Sequence, residues 1–215
     1  YYEKGSRPNA GYLILSKYKQ DEKATNSVQL WDLNNQNILN EYTFYPESKF
    51  FDEKFKKNIY LKDLKVPFHH SIINSKGALF FQAEGKLIQL DKCNNLINIS
   101  KNNKTKLFFH HGIQLHKNGN FFAVMTNRSF DKEIHKSNFK NHGFSILDKN
   151  LNITYSTTLL EIYKKNDLLS KIYGMEVKPT DPFHLNDVEP YIRSDGKLIV
   201  LLSIRNQSNI IAVEV

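Results

Sequence analysis

The chain has 215 residues, 40% of them hydrophobic and 24% charged, with a formal net charge of +8. That length suits one domain, or one piece of a larger one, with enough apolar residues for a real core. Aromatic residues at 13% exclude a disordered chain, no apolar run reaches the ~18 residues of a membrane-spanning helix, and the single cysteine, Cys93, excludes an internal disulfide.

In chain order, short strands are expected over 11–17, 27–32, 38–44, 78–82, 86–91, 120–126, 144–148, 197–203 and 209–215. They are rich in Ile, Val, Phe and Tyr. Turn chemistry falls between them at Ser75-Lys76-Gly77, Glu84-Gly85, Lys117-Asn118-Gly119 and Ser194-Asp195-Gly196. The stretch 47–65 is ambiguous, a short helix in a connecting loop. Residues 159–173 differ from the rest, because apolar side chains at 159, 160, 162, 163, 168, 169, 172 and 173 follow helical spacing. Asp167 offers a break within them. The chain opens on Tyr1 with no charged-then-apolar signal segment and stops inside an apolar run at 210–215, so it reads as an excised piece.

The isoelectric point near 9.3 is less telling than it looks. Lys and Asn are over-used throughout, as at Lys56-Lys57, Asn94-Asn95 and 101–104. No helix carries a Lys/Arg stripe and no aromatic-glycine ribonucleoprotein motif occurs, so nucleic acid is not an expected partner.

The sequence repeats itself. Phe68-His69-His70-Ser71-Ile72 precedes Gly77 and a strand, and Phe109-His110-His111-Gly112-Ile113 precedes Gly119 and a strand. Phe183-His184-Leu185-Asn186-Asp187-Val188, followed by Gly196 and a strand, is a third and looser copy. An all-β unit recurring about every 40 residues has the period of a four-stranded propeller blade. The expected fold is therefore an all-β single domain over 1–215, a partial β-propeller with about four blades present and a helical insertion near 159–173. A β-sandwich is the alternative.

Equivalent positions in successive blades point the same way, so His69, His70, His110, His111 and His184 are expected to gather at one mouth of a central channel. Three uses of such a cluster stay open: structural histidines that hydrogen-bond neighbouring backbone, three neutral imidazoles holding a metal ion, and imidazoles cradling a tetrahedral oxyanion. Arg205, in Ser203-Ile204-Arg205-Asn206-Gln207, favours the last. Two antiparallel strands would return it to the end where His184 sits, and its guanidinium is a planar fork suited to sulfate or phosphate.

Together, the FHHSI and FHHGI units, DPFHLNDVEP at 181–190 and LLSIRNQSNIIAV at 201–213 resemble the bacterial arylsulfotransferase family. The resemblance runs from about residue 66 to 215. It implies a six-bladed propeller that moves a sulfuryl group from a phenolic sulfate ester to another phenol, by way of a sulfated histidine and with no nucleotide donor. It implies catalytic roles for His70, His111, His184 and Arg205, with Asn186, Gln207, His69 and His110 as substrate-binding neighbours. His184 and Arg205 would hold the sulfuryl oxygens. No cofactor or metal is implied, the partners are small phenolic donors and acceptors, and the compartment is the periplasm or outside the cell. In the family the sulfated histidine belongs to a later blade, after the S-x-R-x-Q strand, and the expectation is that the chain stops short of it. A non-catalytic binding propeller and a metal-dependent hydrolase using the histidines are the alternatives.

Overall fold

A computed structural model of the chain describes residues 11–17, 27–43, 69–83, 85–101, 107–129, 139–173 and 180–215. These form four antiparallel meanders. The first contains β1 (Tyr12–Lys17), β2 (Ser27–Asp32) and β3 (Asn37–Thr43). The second contains β4 (His69–Ile73), β5 (Leu79–Ala83), β6 (Lys86–Leu90) and β7 (Leu96–Ile99). The third contains β8 (Phe108–Leu115), β9 (Phe121–Ser129), β10 (Phe139–Leu147) and β11 (Ile153–Thr158), and the fourth β12 (Leu185–Ile192), β13 (Leu198–Ile204) and β14 (Asn209–Glu214). Each strand pairs with its sequence neighbour, and none of the sheets closes on itself.

The middle sheets are apolar on both faces, because each packs against two others. On β5, Leu79, Phe81 and Ala83 pack with Val28 and Tyr42 of the first sheet, while Phe80 turns the other way toward Phe109, Ile113 and Phe121. On β9, Phe121, Ala123 and Met125 face the second sheet, while Phe122 and Val124 face Val188, Val200 and Leu202 of the fourth. Period-two geometry sends alternate side chains to opposite faces. A strand buried on both faces therefore reads as a nearly continuous apolar run. The first strands of the sheets lie beside one another in order: β1 against β4, β4 against β8, and β8 against β12.

The expected glycine turns form. Gly77, Gly119 and Gly196 donate their N–H to the carbonyls of Asn74, His116 and Arg193 at 2.9 Å, with φ between 76° and 87°. That left-handed backbone is one only glycine adopts without steric cost. A second repeated turn escaped the sequence reading. Asp32, Asp91 and Asp148 each accept hydrogen bonds from backbone two residues on and from an Asn side chain, Asn35, Asn95 and Asn152 respectively. These Asx turns hold the carboxyls below their ordinary value, the Asn side chains being the main cause.

The helical stretch comprises α1 (Leu159–Lys165) and α2 (Ser170–Tyr173). Thr158 caps α1 reciprocally with Glu161: the Glu161 N–H donates to Thr158 Oγ1 (3.2 Å), and the Thr158 N–H donates to the Glu161 carboxylate (2.8 Å). Asp167, at φ 54°, lies in the break as expected. Leu159, Leu160 and Tyr163 bury the helix in the core shared by the third and fourth sheets. No helix among the described residues is long and apolar enough to cross a membrane. The stretch at 47–65 lies outside the described residues.

Five strands were not expected: β4, β7, β8, β11 and β12. β10 also starts at Phe139, five residues before the expected 144. Their sequences break the alternation. β4 and β8 hold histidine doublets at bulges, and β12 contains Asn186, Asp187, Glu189 and Pro190. Proline is tolerated there because β12 is the first strand of its sheet, with hydrogen bonds on one side alone.

Gly112 on β8 marks how closely the first strands approach. A Cβ there would overlap the Asp187 carboxylate and lie 3.1 Å from Asp187 Cα and 3.2 Å from the Asn186 carbonyl. Since backbone cannot swing aside as a side chain can, Gly112→Ala should lower stability by about 1–3 kcal/mol. The urea midpoint would fall with an unchanged slope; an unaltered midpoint would show that β8 and β12 have slack between them.

Candidate functional site: a ring of imidazoles

The three copies of the repeat share one backbone signature. His70, His111 and His184 have φ of 48°, 58° and 50°. In each case the register with the next strand slips, between His69 and Ile72, between Phe109 and Ile113, and between Leu185 and Asp187. A bulge inserts unpaired residues and re-aims side chains, and histidine is among the few non-glycine residues that enter the left-handed region readily. The conformation identifies the second member of each doublet as the counterpart of His184.

Four imidazoles meet. The ring centroids are 4.6 Å apart for His110 and His111, 5.5 Å for His111 and His184, 5.7 Å for His184 and His142, and 4.9 Å for His142 and His110. The quadrilateral closes between the third and fourth sheets. His142, on β10 opposite Thr126, is 2% exposed. Asp181 lies along one side: His142 Nε2–H donates to its Oδ1 (2.9 Å) and His184 Nδ1–H donates to its Oδ2 (2.7 Å). A carboxylate has only acceptors, so the nitrogen that faces it carries the hydrogen. The opposite nitrogen of His142, Nδ1, is buried and has no hydrogen-bond partner among the described residues, and the same holds for His110 Nε2.

The loop 181–184 that holds Asp181 and His184 is tied to the turn after β13. The Arg205 and Asn206 backbone N–H groups donate to the His184 and Phe183 carbonyls, both at 3.1 Å. Asn206 Nδ2 donates to the Asp181 carbonyl (2.7 Å), and the Gln207 amide donates to that of Pro182 (3.5 Å). The Tyr163 hydroxyl donates to Gln207 Oε1, joining α1 to the same network. The expected return of Arg205 to the His184 end is therefore seen, with Leu185 paired to Ile204. The Arg205 side chain is exposed, whereas Gln207 is 3% exposed and engaged in holding the loop.

Of the expected residues, His110, His111 and His184 are brought together, and Asn186 occupies the bulge on β12 beside Gly112. His70 adopts the matching conformation on β4 but is exposed, and no ring contact joins it to the four among the described residues. The side chain of His69 lies outside the described residues. Two members of the cluster, His142 and Asp181, were missed. Asn141-His142-Gly143-Phe144 has the histidine-glycine-apolar order of His111-Gly112-Ile113, a signal that was present. Asp181, three residues before His184, has no counterpart in the other copies. His142, Asp181 and His184 offer ligand atoms within 4.8 Å of one another, enough to hold a metal ion.

Burial sets the charge state. Loss of water pushes the His110 imidazole down from 6.5 to about 2, with His142, His111, His184 and Lys140 adding to the effect. Burial likewise pushes His142 down to about 4, against the pull of Asp181. For Asp181, burial works upward, but the His184 hydrogen bond and the charges of His142, His184 and Lys140 outweigh it and hold the carboxyl below its usual 3.8. At neutral pH His110 and His142 are thus neutral, and the Asp181 carboxylate bonded to His142 is ionised.

Because the folded values for His110 and His142 lie below the unfolded one, the unfolded chain takes up protons first on acidification. Stability is complete above the ordinary imidazole value of 6.5 and declines below it, by up to about 1.4 kcal/mol per pH unit for each ring. The Asp181 contribution is present above 3.8 and is lost only as pH falls further. His110→Phe, which replaces a buried ring with an unpartnered nitrogen, should flatten the fall of the urea midpoint between pH 6.5 and 5 by roughly half. A variant that tracks the wild type over that range would show that His110 is not the group excluded from protonation.

Comparison with curated proteins finds no match. The family model described as Arylsulfotransferase (ASST) matches residues 16–215, nearly the whole chain. With the histidine-bearing repeats, the imidazole ring and the S-x-R-x-Q turn all within that match, the chain belongs to the arylsulfotransferase family.

Proposed function

We propose that this chain is the donor-binding part of an aryl-sulfate sulfotransferase, which passes a sulfuryl group from a phenolic sulfate ester to a second phenol through a histidine intermediate, without a nucleotide donor. The four sheets are then successive blades of a propeller, their adjacent first strands facing a common channel, in a protein of the periplasm or cell exterior. The observation that supports this reading most is the closed ring of four imidazoles, two of them (His111 and His184) at left-handed backbone positions, in a member of the family.

His184 and Arg205 hold the oxygens of the sulfate ester. The turn that contains Arg205 is bonded to the His184 carbonyl, so an exposed guanidinium starts from a fixed base beside the imidazole. The transferring group is SO₃-like, with its charge on the equatorial oxygens, so donors placed in advance lower the barrier. His111, across from His184, and His70, in the same conformation on the next first strand, serve as polar or acid groups. His110 stays neutral and closes the back of the site, with His69 beside the preceding bulge. Asn186 lines the bulge, and Gln207 acts by keeping the 181–184 loop in place. The histidine that carries the sulfuryl group is placed by the family resemblance after the S-x-R-x-Q strand.

A second reading has an observation of its own: the grouping of His142, Asp181 and His184 suits a metal-dependent hydrolase. Nitrophenol release from para-nitrophenyl sulfate by the full-length gene product separates the two. Release that rises with added phenol, and that chelators leave alone, is the expected result, and Arg205→Ala should lower kcat/KM by about 10²-fold or more. Release that ignores phenol and stops with chelator would establish the hydrolase. No release from folded protein would leave a binding propeller.

A further inference from the structure

We infer that Asp181 is a positioning residue for His184: by accepting its Nδ1–H, the carboxylate fixes the ring so that Nε2 faces the substrate, and His142 is the second arm that holds the carboxylate in place. This deepens the sulfuryl-transfer reading and rests on it for its kinetic consequence, though not for its structural one. The two arms differ in a telling way. The His142 side chain is 3% exposed and the His184 side chain 24% exposed, so one ring is enclosed and the other opens toward solvent. Each carboxylate oxygen has its own imidazole donor, at 2.9 and 2.7 Å. The carboxylate cannot turn to favour one ring without abandoning the other. The Asp181 backbone is fixed as well, its carbonyl accepting from Asn206 Nδ2 at 2.7 Å.

A histidine whose Nδ1–H is committed has Nε2 alone for chemistry. In the donor half-reaction the sulfur–phenolic-oxygen bond breaks, with its electron pair remaining on the phenolic oxygen. The sulfur bonds to the carrier histidine, and the proton on His184 Nε2 passes to the departing oxygen. In the return half the acceptor oxygen takes the sulfur, the nitrogen–sulfur bond breaks, and the acceptor's phenolic proton returns to Nε2. Throughout, the Nδ1–H stays with Asp181, whose negative charge stabilises the imidazolium that gives up its Nε2 proton in the first half and is restored in the second; between the two the ring is neutral.

Asp181→Asn tests this sharply, because an amide accepts at one end and donates at the other. The variant can keep one imidazole as a donor but must receive a bare nitrogen from the second. If His142 were the ring to change, its proton would move to Nδ1, which is buried with no acceptor among the described residues. His184 is therefore the ring that changes, to bare Nδ1 with the proton on Nε2.

Long-range ¹H–¹⁵N spectra of the histidine rings read this directly, in this chain and without substrate. The expected wild-type spectrum shows a proton-bearing Nδ1 on His184, and Asp181→Asn leaves that nitrogen bare while the shifts of His142 stay put. In the full-length enzyme the same variant should lose about 10²- to 10⁴-fold in kcat with KM changed by less than about threefold. A wild-type His184 with bare Nδ1 overturns the inference, and so does an Asp181→Asn variant with unmoved His184 shifts or undiminished kcat. The wild-type spectrum decides even where the variant does not fold. Correct ring shifts in a protein that fails to turn over aryl sulfates would sink the sulfuryl-transfer reading while leaving the role of Asp181 in orienting His184 intact.

Discussion

Close approach of the first strands is the constraint from which the site follows. Sheets with two apolar faces stack against each other. Their first strands β4, β8 and β12 are thereby brought side by side with little room between them, little enough that a Cβ at Gly112 would strike Asp187. Straight strands so placed would send alternate side chains into the neighbouring sheets and leave none for the space between. The bulges resolve this. At His70, His111 and His184 the chain enters the left-handed region, at a cost of about 1–2 kcal/mol each, and a polar ring is re-aimed away from the sheet interface. The core between sheets supplies the stability that tolerates such strain; the strain in turn supplies the functional geometry.

The shared carboxylate adds a second layer to that geometry. Asp181 lies in a loop, and loops lack the rigidity of strands. Here the loop inherits rigidity from the turn after β13, through hydrogen bonds from Arg205, Asn206 and Gln207. Tyr163 extends the chain of contacts to α1, whose capping box sets where the helix begins. The helical insertion and the S-x-R-x-Q motif, unrelated in sequence, therefore converge on one four-residue loop. Gln207 illustrates the consequence: a polar residue near the imidazole cluster serves the architecture, because its amide is buried and both ends are engaged.

Much of this was legible in the sequence because it is local. The FHH doublets are each followed by a glycine, Gly77 seven residues after His70 and Gly119 eight after His111, and both features encode backbone conformation: the bulge and the left-handed turn. The helical stretch and its break at Asp167 were visible for the same reason, through periodicity and one residue able to take a positive φ. The strands that contain the bulges were not legible, since the feature that re-aims their histidines destroys the alternation that identifies a strand. The turns that pair an Asp with an Asn three or four residues on were overlooked because Asn is so abundant in this chain that a structured Asn looks like background.

His142 and Asp181 were hidden for a different reason. Each is a single polar residue in its own segment, and what makes them significant is a meeting between β10 and a loop 39 residues away. Before that meeting is known, a histidine at the start of an apolar strand and an aspartate before a proline are ordinary. After it, the two explain each other: His142 is buried because its hydrogen has a carboxylate to go to, and Asp181 is tolerated in the interior because two imidazoles donate to it. Neither would be stable in that position alone, since a buried lone carboxylate costs several kcal/mol. The unpartnered nitrogens of His110 and His142 show where the arrangement stops being optimised for stability. A protein selected for stability alone would place apolar rings there. Retaining imidazoles instead keeps that side of the cluster neutral and polar, so that the Asp181 carboxylate carries its charge among uncharged rings at His110 and His142.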